Sequence, residues 1–127
     1  MRDLPPYARL LDLRIERQDG HTVVVMPFHD DVVGRPGFLH GGAIAGLLEI
    51  AAFSTLREQV EDEATMKPIT VTVDYMRPAP NHDTFASAEV QRLGTSIANV
   101  EAFAWQKDRA QPIASARINF LLERDRP

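Results

Sequence analysis

The sequence contains no cysteine. Disulfides, thiolate metal sites and cysteine nucleophiles are therefore excluded, and the composition fits a reducing compartment. It also lacks any apolar run of about 18 or more residues, the pattern a membrane-spanning helix needs. Met1-Arg2-Asp3-Leu4-Pro5-Pro6 has no apolar segment of the secretory-signal kind. The expected location is cytoplasmic, with no membrane partner. Basic charge is not in excess: 14 Lys and Arg stand against 18 Asp and Glu, a net charge of −4. That argues against non-specific binding to nucleic acid. No serine sits in a Gly-x-Ser-x-Gly elbow, which excludes an α/β-hydrolase mechanism. His21, His29 and His82 stand singly in predicted turns or loops without ligand spacing, so neither a metal nor a cofactor is expected. Internal repeats, low-complexity segments and linkers are absent as well.

What is present is a chain of 127 residues with ordinary globular composition. That length suits one domain, residues 1–127, able to bury roughly two-thirds of its unfolded surface. Pro5-Pro6 followed by Tyr7 to Leu11 predicts a short helix with proline in its first turn. Leu11, Leu13 and Ile15 alternate with Asp12, Arg14 and Glu16, the period of a half-buried strand. Asp19-Gly20 marks a turn, and valine-rich His21 to Phe28 is the return strand of a hairpin. His29 to Leu39 reads as a loop broken by glycine, proline and aspartate.

Gly41 to Val60 reads as a helix, because Ile44, Leu47, Leu48, Ala51, Ala52 and Leu56 recur at helical spacing. The chain then turns strand-like. Ile69, Val71 and Val73 alternate before Arg77-Pro78; Thr84 to Leu93 follows a turn at Asn81-His82-Asp83. Gly94 interrupts the pattern, and Ile97 to Gln106 and Pro112 to Leu122 complete it. A hairpin, one long helix and about four further strands suit an α+β architecture, a single antiparallel sheet around one central helix. The helix is apolar on most of its circumference, so the sheet must cover much of it.

From Gly41 to Leu56 the only charged residue is Glu49. Its neighbours at helical spacing, Ala45, Ala52 and Phe53, supply no counter-charge. It reads either as a glutamate on a solvent-facing stripe or as a carboxylate suited to general-base work. His40-Gly41-Gly42 opens the helix. The first amide N–H groups of a helix have no internal partner, and glycine lets a ligand oxygen approach them. A flexible helix entry has the same look, but with His40 before it and Glu49 after it the run suits an oxyanion site. Glu49 lies eight residues past Gly41, roughly 12 Å along a helix. One carbonyl carbon cannot meet both groups within one chain. If both act on one substrate, Glu49 comes from a second subunit whose helix lies antiparallel across a two-fold axis.

Gly37-Phe38-Leu39-His40-Gly41-Gly42-Ala43-Ile44-Ala45-Gly46-Leu47-Leu48-Glu49 resembles the His-Gly-Gly helix motif of the hotdog-fold thioesterases. The likeness is to the phenylacetate-pathway (PaaI-like) and 4-hydroxybenzoyl-CoA thioesterase branch. Thr70 to Ala79 resembles that family's third strand, and Arg92-Leu93-Gly94-Thr95-Ser96 its glycine-interrupted hairpin. The resemblance implies a five- or six-stranded antiparallel hotdog sheet, a homodimer that is often a dimer of dimers, and hydrolysis of an acyl-CoA thioester without a cofactor. It implies catalytic roles for Glu49 as base or nucleophile, for the Gly41 amide, and for His40 as an orienting or polarising group. It implies substrate contacts at Gly42, Tyr75 and the segment Arg92, Leu93, Gly94, Thr95, Ser96 and Ile97. Arg77 is a phosphate candidate by charge and position. Two positions depart from the family pattern: Gly34 stands where relatives often carry asparagine or glutamine, and Pro68 where some carry serine or threonine. Ser54, Thr55, Thr70 or Arg35 could substitute. A hotdog hydratase or dehydratase and a non-catalytic acyl-CoA-binding domain are the alternative functions.

Overall fold

The apolar periodicity between Ile44 and Leu56 has one structural outcome, a helix surrounded on nearly every side. In the computed structural model, which describes residues 4–124, this helix is α2, Gly41–Gln59. Leu47, Leu48, Ala52 and Leu56 are fully buried, and burial extends around its circumference to Ile44, Ile50, Ala51, Ser54 and Thr55. Burying one leucine side chain contributes about 1.5–3 kcal/mol relative to leaving it in water. Arg57 closes the helix C-terminus by donating to the Ala64 carbonyl at 2.6 Å and to the Asp62 carbonyl. A guanidinium there suits the negative end of the helix dipole.

A short helix, α1 (Pro6–Leu10), precedes the hairpin of β1 (Arg14–Gln18) and β2 (His21–Met26). After α2 come β3 (Thr65–Tyr75), β4 (Thr84–Leu93), β5 (Ile97–Trp105) and β6 (Ala114–Glu123). All pair antiparallel in one six-stranded sheet ordered β1-β2-β4-β5-β6-β3. This is the sheet around a central helix that the element order predicts. Among the described residues no helix is long and apolar enough to cross a membrane. The expectation placed on Met1, Arg2 and Asp3 lies outside the described residues.

Several boundaries differ from the sequence reading. α1 is shifted one residue earlier, β3 begins four residues ahead of Ile69, and β5 ends one residue before Gln106. Three further ends have a clear physical cause. The first strand begins at Arg14, not Leu11, because the Leu11 N–H still bonds the Tyr7 carbonyl and Asp12 takes a left-handed φ of 58°. That reversal ends α1 and tucks Leu11 into the core. β2 stops at Met26, since Pro27 carries no N–H and Phe28 donates its own to the Asp83 carboxylate at 2.7 Å. The last strand starts at Ala114, after the Ile113 carbonyl has bonded Met76 and Arg77.

The core divides by sheet face. The concave face and α2 form the main cluster; Val23, Val25 and Trp105, with Phe85 against them, form a second on the convex side. Trp105 is thus a core residue, as its strand position predicts. β3 is the exception. Val71, Val73 and Tyr75 pair with Ile118, Ala116 and Ala114, all buried beneath α2, so they share the concave face. Yet Val71 is 43% exposed and Tyr75 54%. The edge strand carries an apolar face that this chain does not cover.

α1 lies across α2 at a notch. A Cβ at Gly46 would stand 2.6 Å from the Tyr7 ring and 3.0 Å from a Leu11 methyl. Alanine is worth about 1 kcal/mol more than glycine in a helix interior, whereas overpacking costs about 1–3 kcal/mol. Gly46→Ala should therefore lower the urea midpoint of the native chain. In a Tyr7→Ala background the same change should lose that penalty and become neutral or stabilising. Equal effects in both backgrounds would refute the notch.

Candidate active site

Helix α2 begins where the loop before it is clamped from both sides. The His40 N–H bonds the Val32 carbonyl and the Leu39 N–H the Ala79 carbonyl, each at 2.8 Å. Within the loop, the Gly34 N–H reaches the Phe38 carbonyl at 2.9 Å, and the Arg35 guanidinium sits 4.4 Å above the Phe38 ring. Position 34 has no room for a side chain, because a Cβ there would lie 2.9 Å from the His40 Cα. An asparagine at this position would force the loop off the helix start. The departure at Gly34 is therefore built into the packing.

The amides of the first turn can be counted one by one. His40 is the N-cap, with extended φ and ψ, and its Nδ1 accepts the Gly42 N–H at 2.8 Å. The Ala43 and Ile44 N–H groups both bond the His40 carbonyl. That leaves the Gly41 N–H as the one first-turn amide without an acceptor among the described residues. Because Nδ1 accepts, the neutral imidazole carries its proton on Nε2. A Cβ at Gly42 would stand 2.9 Å from this ring, so the cap needs glycine there. Two tyrosine hydroxyls brace the turn. Tyr75 donates to the Gly41 carbonyl at 2.7 Å, and Tyr7 to the Gly42 carbonyl at 3.4 Å.

Glu49 is half-buried two turns further on, without a hydrogen bond or ion pair among the described residues. It borders an apolar recess of about 350 Å³. Ser54 is buried with its hydroxyl unpartnered, while Thr70 is exposed on β3. A larger cleft of about 630 Å³ opens between β2 and β4, lined by polar groups such as Arg17, Glu58, Ser87 and Glu89. Of the candidate residues it contains Thr55, but neither Glu49 nor the His40-Gly41-Gly42 turn.

The tertiary structure gathers His40, Gly41, Gly42 and Tyr75 at one end of the sheet. The Arg92–Ile97 hairpin stands at the other. Tyr75, Ala114 and Ala104 are in register at the first end, and Thr65, Glu123, Ile97 and Leu93 lie near the second. The nine residues of β5 between them span about 30 Å. Arg77 turns its guanidinium to the Pro112 carbonyl. His21 and His82 are exposed, and His29 bonds the Leu11 carbonyl through Nε2. No three metal-ligating side chains cluster among the described residues. Sequence reasoning missed the bracing roles of Tyr7 and Tyr75, which have no local signature.

Comparison with known proteins adds three observations. Residues 36–113 match the thioesterase superfamily model. The medium/long-chain acyl-CoA thioesterase YigI of Salmonella typhimurium is 30% identical, covering 92% of this chain and 85% of that protein. A Bacillus halodurans protein solved with CoA superimposes with a TM-score of 0.88 at 21% identity, over 99% of this chain and 83% of the other. A phenylacetic acid degradation-related protein of Ralstonia eutropha does so with a TM-score of 0.83 at 20% identity, over 94% and 92%.

The His40 cap can be checked directly. His40→Ala removes the acceptor of the Gly42 amide and should cost about 1 kcal/mol in chemical denaturation, the usual worth of an N-cap. His40→Asn, a preferred N-cap residue, should restore most of that stability. Equal losses in both variants would show that the ring serves something other than the cap.

Proposed function

The chain belongs to the thioesterase superfamily, a hotdog-fold family, and from that membership we propose that it hydrolyses an acyl-CoA thioester to the free acid and CoA. The observation that carries the catalytic assignment is the Gly41 amide, the one first-turn N–H left without a partner among the described residues. It points from the positive end of a 19-residue helix. A carbonyl oxygen placed on it becomes a better acceptor as it gains negative charge, which lowers the barrier to attack.

In this reading Glu49 of one subunit faces the Gly41 amide of the other. Glu49 either takes a proton from the attacking water or attacks the carbonyl carbon itself, giving an anhydride that water then opens. In both routes the C–S bond breaks and CoA leaves as the thiolate. Nothing beyond water is consumed, and CoA is part of the substrate. His40 is a positioning residue that directs the Gly42 amide inward to its own Nδ1 and leaves Gly41 free.

Three features support the two-chain site. Gly41 and Glu49 are roughly 12 Å apart along one straight helix. The concave face of β3 exposes Val71 and Tyr75, which suits coverage by a second copy. The Arg92–Ile97 hairpin lies at the far end of its own sheet, so it reaches a thioester held at Gly41 only from another subunit. An antiparallel pairing of β3 with its symmetry mate brings the opposite ends of the two chains together.

Two variants test this. Glu49→Gln should abolish thiol release from an acyl-CoA panel. Gly41→Pro removes the free N–H at a helix position where proline is favoured, and the extended His40 before it accepts proline. It should fold and lose on the order of 100- to 1000-fold in kcat. Dimers reassembled from equal amounts of the two variants should regain about a quarter of native activity, since half are mixed and each of those has one intact composite site. No recovery in verified mixed dimers would place both groups in one chain. Binding without turnover by the native protein would favour a sensor, and water addition to an enoyl-CoA a hydratase.

A further inference from the structure

The sheet is split along part of its width. β2 and β4 pair only through Val24, Val25 and Met26, opposite Ala86, Phe85 and Thr84. Two residues further on, the same register would set Thr22 against Ala88, and no pairing is made there. The strands diverge into the cleft of about 630 Å³, whose remaining lining comes partly from the C-terminal part of α2. This slot is remote from the candidate active site. Thr55 in its lining stands roughly 21 Å along the helix from Gly41, at about 1.5 Å per residue.

The ladder fixes which main-chain groups face the slot. The Ala104 carbonyl accepts from Ile113, on the β6 side, so Phe103 and Trp105 turn their main chain toward β4. Their partners Ser87 and Phe85 therefore bond β5, and Ala86, Ala88 and Val90 point the other way, toward β2. On the opposite wall the Asp19-Gly20 turn closes on the Gln18–His21 pair, so Thr22 directs its main chain toward β4. Ala88, Val90 and Thr22 thus present donors and acceptors to a space that holds no strand. Thr22 is only 7% exposed, and main-chain groups this far inside are nearly always bonded.

Ser87 gives the slot a chemical direction. It is 8% exposed, and its Oγ accepts from the Arg109 guanidinium at 2.9 Å, which leaves its own proton to donate. Arg109 stacks 4.7 Å over the Trp105 ring and bonds no other acceptor among the described residues. A hydroxyl and a guanidinium side by side suit a carboxylate. The other guanidinium, Arg17, is already engaged by Glu58 at 3.0 Å, Thr22 at 2.6 Å and the Gly20 carbonyl at 2.7 Å. Glu89 is exposed, two residues nearer the mouth than Ser87, and stands in register with Glu101. It repels a carboxylate and attracts a basic side chain.

We propose that this slot binds the C-terminal end of an extended polypeptide from a partner protein. The terminal carboxylate rests on Arg109 and Ser87, close to the apex where Val24 meets Ala86. The residues before it run outward, pairing antiparallel with Ala88 and Val90 and parallel with Thr22. At about 3.4 Å per residue the wall from Ala88 to Gln91 takes roughly three or four of them. A basic residue among them meets Glu89. Main-chain pairing supplies the affinity and the carboxylate supplies the direction. The site shares no group with the thioesterase chemistry and stands independently of it.

The probe is the peptide Ser-Lys-Val-Thr-Val, labelled with fluorescein at its N-terminus and made both as the free acid and as the C-terminal amide. Anisotropy titration of the native protein should show the acid binding about tenfold tighter than the amide or better. Arg109→Gln should remove that preference, and Arg109→Lys should keep most of it. Hydrogen exchange should show the Thr22, Ala88 and Val90 amides slowed in the complex, while Ser87 and Glu89, which bond β5, stay unchanged. Acetate at the peptide's concentration should not displace it, because a lone carboxylate pairs with neither wall. No binding at millimolar peptide, equal affinity for acid and amide, displacement by acetate, or protection confined to another part of the chain each overturns the proposal. The acid–amide comparison and the exchange measurement use the native protein, so they decide the matter even if an Arg109 variant fails to fold.

Discussion

An α-helix with apolar side chains on almost every side has to be surrounded, and a single sheet cannot do it. A sheet presents one face and curves only so far. Here the concave face of six strands takes the larger part of α2, and α1 takes a stripe at Gly46. The strip beside β3 stays open, with Val71 and Tyr75 exposed on the face that the rest of the sheet buries. The candidate site features all lie where this enclosure is incomplete. Gly41 is where the helix emerges at its N-terminus, and Glu49 is its one charged group before Arg57. The recess beside Glu49 is the gap between helix, edge strand and N-terminal segment.

The helix start is polarised by subtraction. Each of the first amides needs an acceptor or faces solvent or a ligand. The His40 ring takes one and the His40 carbonyl takes two, which leaves Gly41 as the remaining donor among the described residues. The tyrosine hydroxyls act on carbonyls, not amides, so they stiffen the turn without occupying that donor. Tight packing around Gly34 and Gly42 keeps the imidazole where this division holds. In the proposed site, a short motif of one histidine and two glycines would act through what it leaves unbonded.

Several elements were legible before any fold was known. Spacing alone bounds α2 to within one residue and β4 at its observed limits. Both carry long, consistent periods; α2 runs out into the acidic Glu61-Asp62-Glu63 and β4 into Gly94. Leu11 reads as strand because period two continues across a helix end when the next residue reverses the chain, and the left-handed Asp12 leaves no mark in hydropathy. The exposed face of β3 was hidden for a different reason. Alternation reports that one face is apolar, not which molecule covers it.

The sequence by itself determined the long helix, its glycine start, the lone carboxylate and the spacing between them. Those features depend on neighbours within a few turns, and helical geometry converts their spacing directly into distance. Even the conclusion that Gly41 and Glu49 cannot meet on one carbon within one chain follows from that local ruler. Only the tertiary structure decided which amide stays free, where Tyr7 and Tyr75 land, and that the Arg92–Ile97 hairpin stands at the far end from Gly41. It alone assembled the recess, whose lining residues run from Pro5 to Phe120. Contacts between such distant positions are set by how side-chain volumes fill shared space, and no periodicity along the chain encodes that.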